Sequence, residues 1–234
     1  MCSLNISIQS RAMLMMVYIL ILNLSIIYSL KKEDPVTCGS VVKLVHKETG
    51  FNLHSHGIAW GSGSGQQSVT SNSAKNEKGS LWLIKESSHA AGCDIGTPIK
   101  CGDVIRLEHA DSKKNLHSHL FRAPLSGNQE VSSFGDNGNG DTGDNWEVIC
   151  DTSKDTVWMR YKPVSFKHVD TSKYLSTSAA ATFNQQNCGG NCPIMSQTEV
   201  SAAARKDIKA VWSTDQGVYY PVKGSSNQDD DEDL

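Results

Sequence analysis

The stretch that decides the fold is Cys38–His56, CGSVVKLVHKETGFNLHSH, because the chain writes it again at Cys101–His119 as CGDVIRLEHADSKKNLHSH. The offset is 63 residues, and cysteine, glycine, valine, leucine, histidine and the whole NLHSH block coincide. Downstream, Gln67-Ser68-Val69 meets Gln129-Glu130-Val131, and Trp82 in SLWLI meets Trp146 in DNWEV. A third, weaker copy begins in VSFKHVDTSKYLS, Val164–Ser176, where His168 answers His109 and Leu175 answers Leu116. Thr198-Glu199-Val200 and Trp212 follow in the same order, and the histidine pair has become Ser176 and Ser178. Self-similarity at a fixed period marks a repeated structural unit.

VVKLVH and VIRLEH alternate in part and are rich in β-branched residues, the composition of strands. ETG and DSKKN read as tight turns, so each copy is expected to open as a hairpin whose second strand is NLHSH. GSGSGQQ and LSGNQE read as loops, and each tryptophan sits in a final strand. No amphipathic pattern reaches a convincing helix; SAAARKDIKA, Ser201–Ala210, is the best candidate and is short. Three multistrand units, none able to bury its own face, are expected to close around one shared core.

The body is an ordinary globular sequence. Of 234 residues, 38% are apolar and 20% charged, enough to build a core without metal. The N-terminus differs: Ala12–Leu30 carries no charge and follows Arg11, the pattern of a secretory signal or signal anchor over residues 1–30. The run is long for a cleaved signal and just long enough to span a bilayer. Cleavage is expected, with Ser29 the candidate last residue removed; membrane contact is expected only if the segment is retained. Delivery is to the lumen or outside in either case. The N-x-Ser matches at Asn5 and Asn23 fall in or before this segment and are not expected to carry glycans. Cys2 precedes the apolar run, leaving Cys38, Cys93, Cys101, Cys150, Cys188 and Cys192, an even count that favours disulfides over zinc in an oxidising compartment. Acidic charge gathers in Asp229–Asp233 and the rest is close to neutral. No concentrated basic face argues for nucleic acid.

CGSVVKL, the two NLHSH blocks, SGQQSVT, CGDVIRL, NQEVSSFG and DNWEV resemble the stromal cell-derived factor 2 family of MIR-domain proteins, over about residues 37–221. The resemblance implies an all-β fold, a single β-trefoil built from three MIR repeats at about 38–93, 101–150 and 158–216. The acidic composition that follows predicts by itself a disordered tail over 223–234. The resemblance also implies a resident of the endoplasmic-reticulum lumen with no catalytic activity and no cofactor, a subunit of a chaperone/co-chaperone complex in protein folding and quality control. The implied partners are a lumenal J-domain co-chaperone and the lumenal heat-shock ATPase chaperone, with unfolded or glycosylated clients. MIR repeats also occur in protein O-mannosyltransferases and calcium-release channels, so the module leaves a second reading open: a glycan-binding, lectin-like module linked to O-mannosylated proteins. A transferase fits poorly, since those enzymes carry many membrane spans.

On a strand, His54 and His56 share one face, as do His117 and His119. They are read first as scaffold, hydrogen-bonding loop backbone at equivalent points of two repeats; the alternative makes all four candidates for ligand or partner contact. No metal is expected, because two imidazoles need further ligands and no Asp or Glu lies nearby at regular spacing. Gly61–Gly65 lacks the following helix and Gly-Lys-Ser/Thr of a phosphate loop and reads as surface loop. Asp136–Asp141, DNGNGD, lacks the twelfth-position glutamate of an EF-hand. Cys188–Cys192 is C-x-x-x-C rather than the C-x-x-C of an oxidoreductase and is expected to be a local disulfide. Repeat symmetry favours Cys38 with Cys93 and Cys101 with Cys150. No nucleophile elbow and no paired-carboxylate pattern stands out. Asp231-Glu232-Asp233-Leu234 resembles an altered K/H-D-E-L retention signal that keeps the final leucine; retention is expected, with secretion if the tail is not read.

Overall fold

The computed structural model describes residues 13–23 and 34–224, in two compact units that divide at Asp34. In the first, residues 13–23 form a helix within the apolar run, its large side chains exposed. Among the described residues no helix is long and apolar enough to cross a membrane. The expected cleavage point at Ser29 and the retention-like Asp231–Leu234 lie outside the described residues, as do residues 225–234 of the expected disordered tail.

The second unit is all-β, with four strands to each repeat. They are β1 (Val41–His46), β2 (Asn52–Ala59), β3 (Gln67–Asn72) and β4 (Trp82–Glu86); β5 (Val104–His109), β6 (Asn115–Arg122), β7 (Gln129–Phe134) and β8 (Trp146–Cys150); β9 (Val164–His168), β10 (Tyr174–Thr182), β11 (Thr198–Ala203) and β12 (Trp212–Val218). The outer strands of the repeats pair antiparallel in a closed cycle: β1 with β4, β4 with β5, β5 with β8, β8 with β9, β9 with β12 and β12 with β1. The inner strands form the hairpins β2–β3, β6–β7 and β10–β11. Strands β3, β7 and β11 then pair with one another in a triangle. A six-stranded barrel capped by three hairpins is a β-trefoil, and closure removes the edges an open sheet would expose.

Two expectations need correction. The first two strands of a copy do not make the hairpin. β1 and β2 share only the pair Val45↔Asn52, while β1 runs along β12 from Val41 to His46. The turn with Gly50 at φ +70° lifts the chain out of the barrel into the cap, where β2 finds β3. SAAARKDIKA is not a helix either. Ser201 and Ala202 are buried within β11, and only Ile208–Ala210 coils, as one 3-10 turn.

The disulfides follow the repeat. Cys38–Cys93 and Cys101–Cys150 close the first two copies with Cα separations of 6.3 and 5.5 Å, and Cys188–Cys192 pins the third copy's long loop. At the barrel's open end the strand leads tie into a ring. Val36 N–H donates to Trp158 C=O (2.8 Å), Trp158 N–H to Ile99 C=O (2.8 Å), and Ile99 N–H to Val36 C=O (2.9 Å).

The repeats meet at three tryptophan–histidine contacts. Trp82, Trp146 and Trp212 are wholly buried, and each indole N–H donates to the carbonyl of Leu53, Leu116 or Leu175 in its own copy, at 3.0, 2.9 and 2.9 Å. Against each indole lies a histidine from the next copy around the barrel: His109 on Trp82, His168 on Trp146 and His46 on Trp212, with ring centroids 5.1, 5.0 and 5.0 Å apart. Each histidine bridges Nδ1 to a turn hydroxyl (Ser112, Thr171 or Thr49) and Nε2 to a backbone carbonyl (Gly79, Gly143 or Lys209). Replacing Trp146 by Phe removes the indole donor, leaves the Leu116 carbonyl unsatisfied in the core and shrinks the packed ring. A loss of about 1–3 kcal/mol is expected in urea unfolding; unchanged stability would show that this contact does not hold the seam.

Candidate functional site

In the NLHSH strands the first histidine of each pair belongs to the scaffold. His54 Nδ1 meets Ser80 Oγ at 3.1 Å and His117 Nδ1 meets Asp144 Oδ1 at 2.9 Å. Each ring presses on the 3-10 turn that precedes its tryptophan. A Cβ on Gly79 would stand 2.6 Å from the His54 ring, and one on Gly143 would stand 2.4 Å from the His117 ring, so these positions require glycine. In the third copy Ser176 leaves room, and Lys209 occupies the glycine position. The middle residue repeats most faithfully. Ser55, Ser118 and Thr177 donate to the carbonyls of Ser68, Glu130 and Glu199 across the hairpin. Gln67 and Gln129 then tie those serines to Ser112 and Thr171 in the next copy.

The second histidines differ between copies. His119 Nε2 meets Glu130 Oε1 at 3.0 Å. His56 packs edge-on against His54; the Gln197 amide faces it, but neither ring nitrogen reaches a partner with hydrogen-bond geometry. The expectation of backbone hydrogen bonds from all four histidines is therefore corrected: those bonds are made by His46, His109 and His168. The expectation that no acid lies near is corrected too. Chain folding brings Asp144 onto His117 and Asp141 to 3.5 Å from it. Their ligand atoms lie within 4.8 Å of one another, a spacing a cation could use. Both carboxylates already serve a capping box at Thr142–Asp144, which accounts for their position without a metal.

Burial lowers the pKa of His46, His56, His109 and His168, and lowers that of His54 to about 4, with the neighbouring His56 and His109 adding to the effect. Removing an imidazolium from water costs more than removing the neutral ring. At each seam the neutral Nε2–H form suits the contacts, donating to the carbonyl and accepting at Nδ1.

Two buried carboxylates carry little signal in the sequence. Glu130 accepts from the Ser64 hydroxyl and from Ser64 N–H at 3.4 Å, holding the first copy's Gly61–Gly65 loop. Gly63, at φ +75°, is needed there because a Cβ would fall 1.9 Å from the Glu130 carboxylate. Glu199 holds the second copy's loop in the same way, through Ser126 N–H at 3.1 Å and the Ser126 hydroxyl. The glycine-rich stretch is thus a docked loop. The only signal was Glu130 and Glu199 sharing a repeat position where the first copy has Ser68.

Around the cap the copies differ most in their grooves. The second copy carries an open groove of about 560 Å³ lined by His117, His119, Leu120, Phe134, Asp141 and Asp170, among others. The third copy's equivalent holds about 270 Å³ and is lined by Ser176, Ser178, Glu199 and Lys209 among others. A third pocket, about 320 Å³, is apolar and sits between Trp60, Phe183 and the Cys188–Cys192 loop.

A family model for the MIR domain matches residues 64–162. The stromal cell-derived factor 2-like protein of Dictyostelium discoideum is 47% identical over 191 residues, spanning 80% of this chain and 85% of that protein. The chain belongs to the stromal cell-derived factor 2 family. Human stromal cell-derived factor 2 is 45% identical over 184 residues, covering 79% of this chain and 82% of its own. The crystal structure of the SDF2-like protein from Arabidopsis thaliana superposes with a TM-score of 0.73 at 40% identity, over 81% of this chain and 99% of that one. For this stromal cell-derived factor 2 relative, acid should act through the buried histidines. An unfolded histidine binds a proton near pH 6.5 and folded His54 only near 4, so stability should fall as pH drops from 6.5 to 4. In His54→Gln the difference between melting temperatures at pH 7 and pH 4.5 should shrink; an undiminished difference would exclude His54 as a contributor.

Proposed function

We propose that this chain works without chemistry of its own, as an endoplasmic-reticulum lumenal subunit of a chaperone/co-chaperone complex in protein folding and quality control. Its partners would be a J-domain co-chaperone and the lumenal heat-shock ATPase chaperone. The observation that carries the reading is where the repeated polar residues go. His46, His109, His168, Gln67 and Gln129 turn inward to join copies, while the grooves around the cap differ in lining from one copy to the next. That division suits a rigid body offering different surfaces to different proteins. The three disulfides fit an oxidising lumen, and the apolar N-terminal run fits delivery there. None of the family relatives compared above carries the name of an enzyme.

A second reading, recognition of glycans on O-mannosylated proteins, is favoured by the second copy's groove, where polar side chains stand beside the flat ring of Phe134. Affinity capture of the whole chain from a secretory compartment, read by mass spectrometry with and without glycan removal, separates the two. Recovery of a J-domain protein and the chaperone ATPase, indifferent to glycans, is the expected result. Recovery only of glycoproteins that vanish on deglycosylation would replace it with the glycan reading.

A further inference from the structure

We propose that the second copy's groove is a docking site for an extended peptide carrying a lysine or arginine beside an apolar residue. The proposal rests on the protein-partner reading above and names the chemistry of one such partner. The groove's charge is one-sided. Asp141 and Asp170 stand at its rim, Asp144 and Glu130 are buried behind His117 and His119, and no lysine or arginine lines it. Asp170 accepts from Thr142 Oγ1 at 2.8 Å, and Asp141 accepts from Gly143 N–H at 2.9 Å. Each contact engages one carboxylate oxygen and leaves the other for a cation.

Beside these acids the tip of β6 is apolar and uncovered. Leu120 is 85% exposed and Phe121 52%, with Phe121 set against the His119 ring and Phe134 against the His117 ring, at 5.0 and 4.7 Å. Exposed leucine and phenylalanine next to rim acids that no lysine or arginine of the groove neutralises form a surface that a basic side chain with an apolar neighbour would complement on both counts.

The other copies supply an internal contrast. At the position of Leu120 the first copy has Gly57, at that of Phe134 it has Asn72, and at that of Thr142 it has Lys78. The third copy has Ser176 and Ser178 for the histidines, Ala210 for Asp144 and Lys209 lining its groove. The scaffold is shared by all three. The rim acids have counterparts, Glu77 and Asp111 in the first copy and Asp207 and Glu48 in the third, but the buried acids behind both histidines, the apolar lip and the lack of a lysine coincide in the second copy alone, so the barrel does not require the combination.

The test uses the purified full-length chain and a fluorescent, acetylated and amidated hexapeptide with one leucine–lysine pair, compared with its leucine–glutamate counterpart. The lysine peptide should bind, and binding should weaken several-fold between about 20 and 300 mM salt. Asp141→Asn with Asp170→Asn, which keeps the cap and the Thr142 contact, should weaken it at least fivefold. Leu120→Ser should weaken it about threefold, and neither change should move the melting temperature appreciably. Equal binding of both peptides, no binding, or binding unaltered in the double variant would overturn the proposal. So would saturation of the groove by mannose with no response to the lysine peptide. If the double variant captures the co-chaperone as well as the parent does, the groove assignment fails and the partner reading stands. If the lysine peptide binds as expected but no co-chaperone is captured by either chain, the partner reading fails and the groove remains.

Discussion

The structure depends on the contact between a buried tryptophan and the histidine of the following copy. No copy of this trefoil has a core of its own. Each contributes one indole to its own cap through a carbonyl of β2, β6 or β10 and offers that ring's face to its neighbour. The neighbouring histidine satisfies both of its nitrogens locally while it packs. A larger aliphatic residue would fill the space and leave the carbonyls of Gly79, Gly143 and Lys209 without a donor. A lysine would bring a charge that burial disfavours. Neutral histidine fits both demands, and burial lowers its basicity accordingly.

Much of this was legible in the sequence, and the reason is periodicity. The cysteines, leucines and tryptophans stand at matching offsets, so the number of copies and the strand content could be read directly, while the two long-range disulfides were favoured by the symmetry without being fixed by it. The pairing of strands could not. A tight turn between VVKLVH and NLHSH suggests a hairpin, yet in a closed barrel β1 has better partners on both sides, in β4 and β12. Local turn chemistry fixes where the chain reverses and not which strand it then follows.

The candidate site was legible only in part. The histidine pairs drew attention because they are conspicuous, and their first members proved to be scaffold for a reason that lies elsewhere in the chain, at Gly79 and Gly143. The glutamates that clasp neighbouring loops gave little signal, since a buried carboxylate looks like an exposed one until its donors are known. Asp144 shows the same limit. It lies 27 residues from His117 in sequence and 2.9 Å away in space, placed there by a capping box inside one 3-10 turn. What differs between copies, such as Leu120 against Gly57, leaves no trace in their periodicity.

The pairing of β1 with β12 places the beginning of the domain against its end. A chain made from its N-terminus forms β1 early and must wait for β12. Until Trp212 has emerged, His46 has no indole to cover it and one side of β1 remains open. Such a chain stays unfinished through nearly all of its synthesis, with its edges available to other proteins during that interval. A protein of this shape is itself open to handling by others for most of the time it is being made.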